Sequence, residues 1–138
     1  STNLDAFPAL VDLVASGRCD VAYGSRLAPG SDTARRFMRE LLSHAYNAIL
    51  HVAVGTRVSD AQCGFKAVSR RVVTDVVPEI LNNEWFFDTE LLVLAERHGY
   101  RTAALPVTWR ERTPSHVRVA RTILEDLAGL WRLRRTQP

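Results

Sequence analysis

The sequence contains little lysine, little cysteine and no long apolar run. Lys66 is the only lysine among 18 cationic side chains, and the 138 residues include two cysteines, Cys19 and Cys63. The cysteines have neither CxxC spacing nor histidines at ligand spacing, so we predict two reduced thiols and no structural metal site. No stretch approaches the ~18 consecutive apolar residues of a membrane-spanning helix.

The sequence also lacks a secretory leader pattern, in which a basic start precedes an apolar stretch and a small-residue cleavage site. Its 138 residues are enough for one hydrophobic core and too few for two domains of ordinary size. Because the first residue is Ser1 instead of methionine, we expect the chain to be part of a longer protein.

The cations are almost all arginine, and they give a net charge of +3 and a pI near 9.3. The guanidinium is a bidentate partner for phosphate and carboxylate groups, which favours a phosphate-bearing ligand. A GC-rich genome would also raise the arginine content, so only arginines at particular positions count as evidence. Nucleic-acid binding is not expected, because the arginines are not interleaved with aromatic residues along one stripe.

Apolar periodicity and turn residues predict an α/β domain with a mixed sheet flanked by helices. Because the pattern opens on a helix, we expect residues before Ser1 to supply the first strands of the sheet. The predicted helices span residues 4–16, 32–54, 69–81, 87–98 and 117–135, and the predicted strands span residues 20–23, 65–68 and 100–109.

Two of the predicted helices are amphipathic. The helix over 32–54 is expected to have one apolar face, made of Phe37, Leu41, Ala45, Ile49 and Val52. The last helix has a face of Ile123, Leu124, Leu127, Leu130 and Trp131, flanked by Arg118, Arg121, Arg132, Arg134 and Arg135. A basic amphipathic helix is typical of a membrane surface, but an ordinary packing helix explains the same pattern equally well.

Polar residues are concentrated beside aromatic ones in two motifs, Asp60-Ala-Gln-Cys-Gly-Phe-Lys66 and Trp85-Phe-Phe-Asp-Thr-Glu90. Polar groups at the edge of a core need partners, and a ligand site would supply them. Asp60 could instead be a turn residue, and Asp88 could complement the dipole at a helix N-terminus. Neither alternative explains why aromatic residues lie next to both acids.

Arginines at two further places could bind a phosphate. Gly24-Ser25-Arg26 directly follows a predicted strand, and in open α/β sheets ligands bind beyond the carboxyl ends of strands. Arg39 and Ser43 are four residues apart on a predicted helix, so they share one face and could hold one phosphate. Exposed arginines on a solvated surface are the alternative at both places.

Together these motifs resemble those of the polyprenyl-phosphate (dolichyl-phosphate) hexosyltransferases, which are family 2 glycosyltransferases with a GT-A fold. The resemblance spans nearly the whole chain and depends on the order and spacing of the motifs. They are Gly24-Ser-Arg26, Arg39-x-x-x-Ser43, Asp60-x-x-Cys-Gly-Phe-Lys66, Phe86-Phe-Asp-x-Glu90, Pro106-Val-x-Trp109 and Ser115. The resemblance implies that residues 1–116 are the C-terminal half of a GT-A domain and that residues 117–138 form a basic amphipathic helix at the membrane interface.

The resemblance also implies a role for each position. Asp60 would be the catalytic acid near the reacting centre, and the acceptor phosphate would be bound by Arg26, Arg39 and Ser43. The donor sugar phosphate would be bound by Gly24, Ser25, Gln62, Lys66, Asp88 and Glu90. Ser115 and Arg118 would belong to a closing loop, in which His116 replaces the Lys or Arg that relatives often have after the serine.

The implied reaction moves a hexose from a nucleotide-diphosphate sugar to a polyprenyl phosphate at the cytoplasmic face of a membrane. The implied cofactor is a divalent metal, Mg²⁺ or Mn²⁺, held by an Asp-x-Asp motif expected before Ser1, so this chain alone should be inactive. The alternatives are a non-enzymatic module that binds a phosphorylated lipid, and a family 2 glycosyltransferase with a different acceptor.

Overall fold

The computed structural model describes residues 4–26, 33–34, 37–84, 86–110 and 119–136. The described strands are β1 (Val21–Ser25), β2 (Thr33–Ala34), β3 (Lys66–Val68), β4 (Thr102–Pro106) and β5 (Trp109–Arg110). The helices are α1 (Phe7–Ala15), α2 (Phe37–Val54), α3 (Arg70–Asp75), α4 (Phe87–Arg97) and α5 (Val119–Arg135), with 3₁₀ turns at Leu4–Ala6 and Val77–Glu79.

Strand β1 is the centre of a three-stranded mixed sheet with the order β3-β1-β4. It pairs antiparallel with β3 and parallel with β4, and all five of its residues are buried. Strands β2 and β5 form a separate parallel pair. A mixed sheet flanked by helices confirms the predicted α/β class.

Most predicted elements are present with shifted ends. Strand β1 runs two residues beyond the predicted end at Tyr23, and the predicted strand over 100–109 divides into β4 and β5 after Pro106. The predicted helix over 69–81 is a short α-helix followed by a 3₁₀ turn that contains Pro78, which cannot donate a helical hydrogen bond. Helix α4 ends before Gly99, whose φ of 79° is the left-handed conformation that favours glycine.

The main core lies between the sheet and helices α2, α4 and α5. It includes Leu50 and Val54 of α2, Leu92 of α4, and Leu130 and Leu133 of α5. None of the helices in the described ranges is long and apolar enough to cross a bilayer.

The residues predicted to form the apolar faces of α2 and α5 are mostly exposed and do not belong to the core. Leu41, Ala45, Ile49 and Val52 of α2 are exposed, as are Ile123, Leu124, Leu127 and Trp131 of α5, and the side chain of Phe37 lies outside the described residues. The buried stripes are Asn47, Leu50 and Val54 on α2, and Asp126, Leu130 and Leu133 on α5. Each buried stripe contains one polar residue, which conceals it from hydrophobic periodicity.

Helix α5 packs into the core at one glycine. A Cβ atom at Gly129 would lie 2.5 Å from two ring carbons of Phe86, so only glycine allows the helix to approach this closely. The described part of α5 therefore shares its core with α2 and α4. The boundary predicted between residues 116 and 117 falls within residues 111–118, outside the described part of the chain.

Candidate functional site

A buried ion pair joins Arg26 at the end of β1 to Asp60 in the segment between α2 and β3. The Oδ2 atom of Asp60 accepts hydrogen bonds from the backbone N–H and from Nε of Arg26, at 3.0 and 2.7 Å. Its Oδ1 atom accepts from Nη2 at 2.8 Å. The two side chains are only 11% and 1% exposed, so the pair is a desolvated, bidentate contact.

The electrostatics of Arg26 follow from that contact. Burial alone would lower the pKa of the guanidinium, but the hydrogen bonds and the negative charge of Asp60 outweigh it and raise the pKa. The arginine therefore keeps its charge inside the protein. Asp60 is the partner that makes this possible, because a buried cation without a counter-charge is very costly.

The segment that carries Asp60 is fixed by hydrogen bonds to its neighbours. Ser59 donates from its backbone N–H to the hydroxyl of Tyr23 at 3.1 Å and from Oγ to Oγ of Ser25 at 3.0 Å. Ala61 donates its backbone N–H to Oδ1 of Asn47 at 3.1 Å. The carboxylate thus lies on a backbone held from both β1 and α2.

Gly24 and Ser25, both predicted to bind the donor, lie buried within β1. A Cβ atom at Gly24 would lie 2.8 Å from Cγ1 of Val107, so glycine is needed there for packing. Ser25 is fully buried, and its hydroxyl accepts the hydrogen bond from Ser59. Both residues therefore support the Arg26–Asp60 pair from within β1, through packing and hydrogen bonding.

A second ion pair lies nearby, between Lys66 at the start of β3 and Asp88 in the first turn of α4. The ammonium group of Lys66 donates to Oδ1 of Asp88. Burial lowers the pKa of Lys66, although the hydrogen bond and charge of Asp88 oppose this effect. Burial raises the pKa of the Cys63 thiol, Asp60 adds to this effect, and Arg26 and Lys66 oppose it, so both ion pairs lie in one electrostatic neighbourhood.

Gln62 connects this neighbourhood to helices α2 and α5. Its Nε2 atom donates to Oδ2 of Asp126 at 3.2 Å, and its amide is close enough to the hydroxyl of Tyr46 to act on the pKa of that phenol. That hydroxyl lies 3.0 Å from Oγ1 of Thr89. Burial raises the pKa of Tyr46, so the phenol stays neutral and can take part as donor or acceptor.

The phosphate-binding pair predicted on α2 is described in part. Arg39 lies in the first turn of α2, and its side chain is outside the described residues. Ser43 follows one turn later and is half-buried, and its carbonyl oxygen accepts a hydrogen bond from Nδ2 of Asn47 at 2.8 Å. Ser115 and Arg118, predicted for the closing loop, lie outside the described part of the chain.

Among the predicted site residues whose side chains the structure describes, Glu90 lies away from the two ion pairs. Residues two apart on a helix do not share a face, so Glu90 turns away from Asp88. Its Oε2 atom accepts from Arg132 at 3.0 Å and from the backbone N–H of Asn82 at 3.1 Å. It lines a separate cavity of about 370 Å³ together with Arg97 and other residues near the ends of α4 and α5.

Three residues that form hydrogen bonds around Asp60 and Gln62 were not predicted from the sequence. They are Tyr46, Asn47 and Asp126. Tyr46 and Asn47 lie on the buried side of α2, and neither belongs to the apolar pattern of that helix. One feature of the sequence could have indicated that Asp126 is buried. It lies four residues before Leu130 and seven before Leu133, at a position where an apolar residue would complete the buried stripe of α5.

The described residues do not by themselves fit a divalent metal. No group of three or more His, Cys, Asp or Glu side chains within the described ranges could hold one. Asp60 and Asp88 each form an ion pair with a cation. Both carboxylates are therefore engaged by side chains of the protein itself.

Known proteins similar to this chain are glycosyltransferases. Glycosyltransferase AglD of Haloferax volcanii is 38% identical over 124 residues, which cover 90% of this chain and 20% of that protein. The dolichyl-phosphate beta-glucosyltransferase of Drosophila melanogaster is 30% identical, covering 91% of this chain and 43% of the relative. The enzyme of the same name from Saccharomyces cerevisiae is 29% identical, covering 72% of this chain and 31% of the relative.

The chain spans less than half the length of these curated relatives. No protein-family model matches it. The relatives nevertheless cover most of the chain, and their names agree with the resemblance drawn from its motifs. The chain is therefore similar to one part of these glycosyltransferases, consistent with a fragment of a family 2 glycosyltransferase.

Proposed function

We propose that the full-length protein transfers a hexose from a nucleotide-diphosphate sugar to a polyprenyl phosphate. The observation that carries the proposal is the buried Arg26–Asp60 pair at the carboxyl end of β1, with the Lys66–Asp88 pair in the same neighbourhood. Ligands of open α/β sheets bind at such strand ends. The names of the dolichyl-phosphate relatives support the same substrate class.

The acceptor phosphate is the nucleophile of this reaction. A phosphate monoester is ionised near neutral pH, so its oxygen can attack the anomeric carbon without a strong general base. The harder task is to bring an anionic acceptor to an anionic donor, which needs fixed cations. Arg26 supplies one such cation, and Arg39 with Ser43 on α2 would complete the acceptor site.

Asp60 acts by holding Arg26 in place. Because its carboxylate accepts three hydrogen bonds from Arg26, it is poorly suited to remove a proton. It fixes the guanidinium plane and balances its charge, so that the cation is ready before substrates bind. This makes Asp60 essential for turnover without making it a base.

The donor would lie on the side of Lys66, Gln62 and Asp88. An ammonium group can contact a diphosphate oxygen, and an amide can contact a sugar hydroxyl. Gly24 and Ser25 support this side from within β1. Ser115 and Arg118 would close over the bound substrates, whereas Glu90, which accepts hydrogen bonds from Arg132 and Asn82, would take no direct part in donor binding.

The divalent metal expected for the full-length enzyme, Mg²⁺ or Mn²⁺, would be held mainly by acids outside this chain. When bound, it would stabilise the departing nucleoside diphosphate. The residues of this chain would bind and orient the acceptor phosphate and the sugar.

The membrane would be contacted by the exposed apolar residues of α2 and α5. Val52 is 90% exposed, Leu124 is 69% exposed and Trp131 is 58% exposed, which is unusual for large apolar side chains in water. The guanidinium of Arg135 lies 3.5 Å from the ring centroid of Trp131, and Arg132 and Arg134 are in the same last turn. Apolar and cationic groups together suit an anionic lipid surface at the cytoplasmic face, where a lipid acceptor would be found.

Acceptor specificity tests the proposal. Full-length protein in liposomes would be given radiolabelled nucleotide-diphosphate hexoses with either polyprenyl phosphate or the matching polyprenol. We expect labelled lipid with polyprenyl phosphate and none with polyprenol, because only the phosphate engages Arg26. Transfer to polyprenol at a similar rate, or no transfer to either lipid with any nucleotide hexose, would refute the proposed function.

A further inference from the structure

Helix α5 carries an acid in its buried stripe. Asp126 is 5% exposed and lies on the same side of the helix as Leu130 and Leu133, which are 5% and 2% exposed. An apolar residue at position 126 would extend the stripe without cost, whereas a buried carboxylate needs hydrogen-bond partners. A residue that breaks the pattern of its own helix points to a role other than packing.

The acid has one hydrogen bond from a side chain of the candidate site. Its Oδ2 atom accepts from Nε2 of Gln62 at 3.2 Å, across 64 positions of sequence, while Oδ1 has no partner among the described residues. Burial is the main reason that the pKa of Asp126 rises to about 6, and the negative charge of Glu125 adds to it. The carboxyl group is therefore retained at a cost in stability.

A carboxylate beside a side-chain amide can select one of the two possible orientations of that amide. An ionised carboxylate only accepts hydrogen bonds, so it attracts the NH₂ end of Gln62 and repels the carbonyl end. With Nε2 directed at Asp126, the Oε1 atom must point the other way. Gln62 then presents a defined acceptor instead of a mixture of two amide orientations.

We propose that Asp126 is a positioning residue that fixes the amide orientation of Gln62, so that Gln62 presents an oxygen acceptor to a hydroxyl group of the bound donor sugar. This inference rests on the proposed function, because it assumes that Gln62 lies against the donor. It assigns to helix α5 a share in sugar recognition, in addition to its contacts with the core.

Loss of the correct amide orientation should affect binding of only one of the two substrates. A flipped or mobile amide at position 62 weakens donor binding and leaves the acceptor phosphate site at Arg26 unchanged. Loss of a hydrogen bond of this kind lowers affinity about tenfold or more. The KM for the nucleotide sugar should therefore rise while the KM for polyprenyl phosphate stays constant.

The test compares four single variants and one double variant of the full-length protein in liposomes. Asp126→Asn keeps the shape but removes the preference for one amide end, and Asp126→Leu removes the hydrogen bond altogether. Glu125→Gln is the matched control, because it removes a charge from the neighbouring position of α5 and leaves both partners of the hydrogen bond between Gln62 and Asp126 in place. Gln62→Met removes the amide itself.

We expect the KM for the nucleotide sugar to rise about threefold to tenfold in Asp126→Asn and further in Asp126→Leu, with Glu125→Gln close to wild type. In the Gln62→Met background, Asp126→Asn should have no additional effect, since both residues act through one contact. In Asp126→Asn, the acidic limb in the pH profile of kcat/KM for the nucleotide sugar should also lose the contribution of Asp126, and only that of the acceptor phosphate should remain.

Several results would overturn the inference. An unchanged donor KM in both Asp126→Asn and Asp126→Leu would do so, as would an equal rise in both substrate KM values. An effect of Asp126→Asn that persists in the Gln62→Met background would show that Asp126 does not act through Gln62. If Asp126→Leu fails to fold, Asp126→Asn and the double variant decide alone. A wild-type protein without transferase activity would instead refute the proposed function.

Discussion

The carboxylate of Asp60 accepts three hydrogen bonds from Arg26, two of them through the same oxygen, and both side chains are almost completely buried. The two residues are 34 positions apart and come from a strand end and a loop. Neither could be kept at this position without the other, because each would be left as a buried charge. The pair therefore behaves as one unit at the carboxyl end of β1.

Replacement of Asp60 by Asn should abolish most turnover. Asparagine keeps the shape but loses the negative charge, so Arg26 is no longer held in its plane and its charge is no longer balanced. We expect kcat of the full-length enzyme to fall about 100-fold or more. The free energy of unfolding should fall by about 3–5 kcal/mol, which denaturant titration would measure. Activity within about threefold of wild type would exclude the role assigned to Asp60.

Replacement of Lys66 by Met tests the second ion pair. The variant keeps a long apolar side chain but leaves Asp88 without its cation, and it removes the ammonium group predicted to contact the donor. The KM for the nucleotide sugar should rise about tenfold or more. Arg101→Met is a suitable control, because Arg101 forms an exposed ion pair with Asp20 away from this neighbourhood. Equal effects of the two changes would contradict the assignment of Lys66.

Replacement of Gly129 by Ala tests how α5 packs on the core. Helix propensity alone predicts a gain of about 1 kcal/mol in stability. The contact with Phe86 predicts the opposite sign, because the added methyl group would overlap the ring and cost about 1–3 kcal/mol. Thermal unfolding of Gly129→Ala, with and without Phe86→Leu, would separate the two effects. A more stable single variant would show that α5 does not approach Phe86 closely.

The stability of the protein should depend on pH through Asp126. The pKa of this group is raised from 3.8 to about 6 by burial, so between these values the native state binds more protons than the unfolded state. Stability therefore decreases as pH rises from about 4 to about 6, and the lost part does not return at higher pH. Relative to Asp126→Asn, the wild type should lose about 1–3 kcal/mol over this window. The free energy of unfolding of both proteins can be measured by denaturant titration at several pH values in this window. The same pH dependence in both proteins would contradict the raised pKa of Asp126.

The exposed face of α5 should enter a lipid environment. In full-length protein, an environment-sensitive fluorophore on Leu127→Cys should shift to shorter wavelength in liposomes with anionic lipid. The same label on Leu81→Cys should not, although Leu81 is also exposed, at 67% against 50%. The two native cysteines are buried and should not react. If the emission of the fluorophore at position 127 stays at the wavelength seen in water when anionic liposomes are present, the membrane contact is excluded.

Much of the fold could be predicted from local patterns. The burial of β1 follows from its apolar residues, and Gly99 marks the end of α4 because only glycine readily adopts its left-handed conformation. The buried faces of α2 and α5 could not be predicted. Asn47 and Asp126 interrupt the buried stripes, and the most regular apolar residues of both helices are exposed. Periodicity cannot distinguish a face that meets the core from one available to a membrane.

The candidate site was predictable as a set of residues but not as a set of contacts. Motif chemistry selected Arg26, Asp60, Lys66 and Asp88, yet it gave Arg26 and Asp60 separate roles. Their pairing depends on how β1 and the segment before β3 meet, which no local pattern encodes. The link between Gln62 and Asp126 spans 64 positions and could not be predicted for the same reason.

The most direct test of the central claim, that Arg26 serves the acceptor phosphate, is the steady-state kinetics of Arg26→Lys in the full-length enzyme. Lysine keeps the charge but cannot form the bidentate contact with Asp60. We expect the KM for polyprenyl phosphate to rise at least about tenfold while the KM for the nucleotide sugar changes less than about twofold. An unchanged KM for polyprenyl phosphate, or a rise confined to the nucleotide sugar, would contradict it.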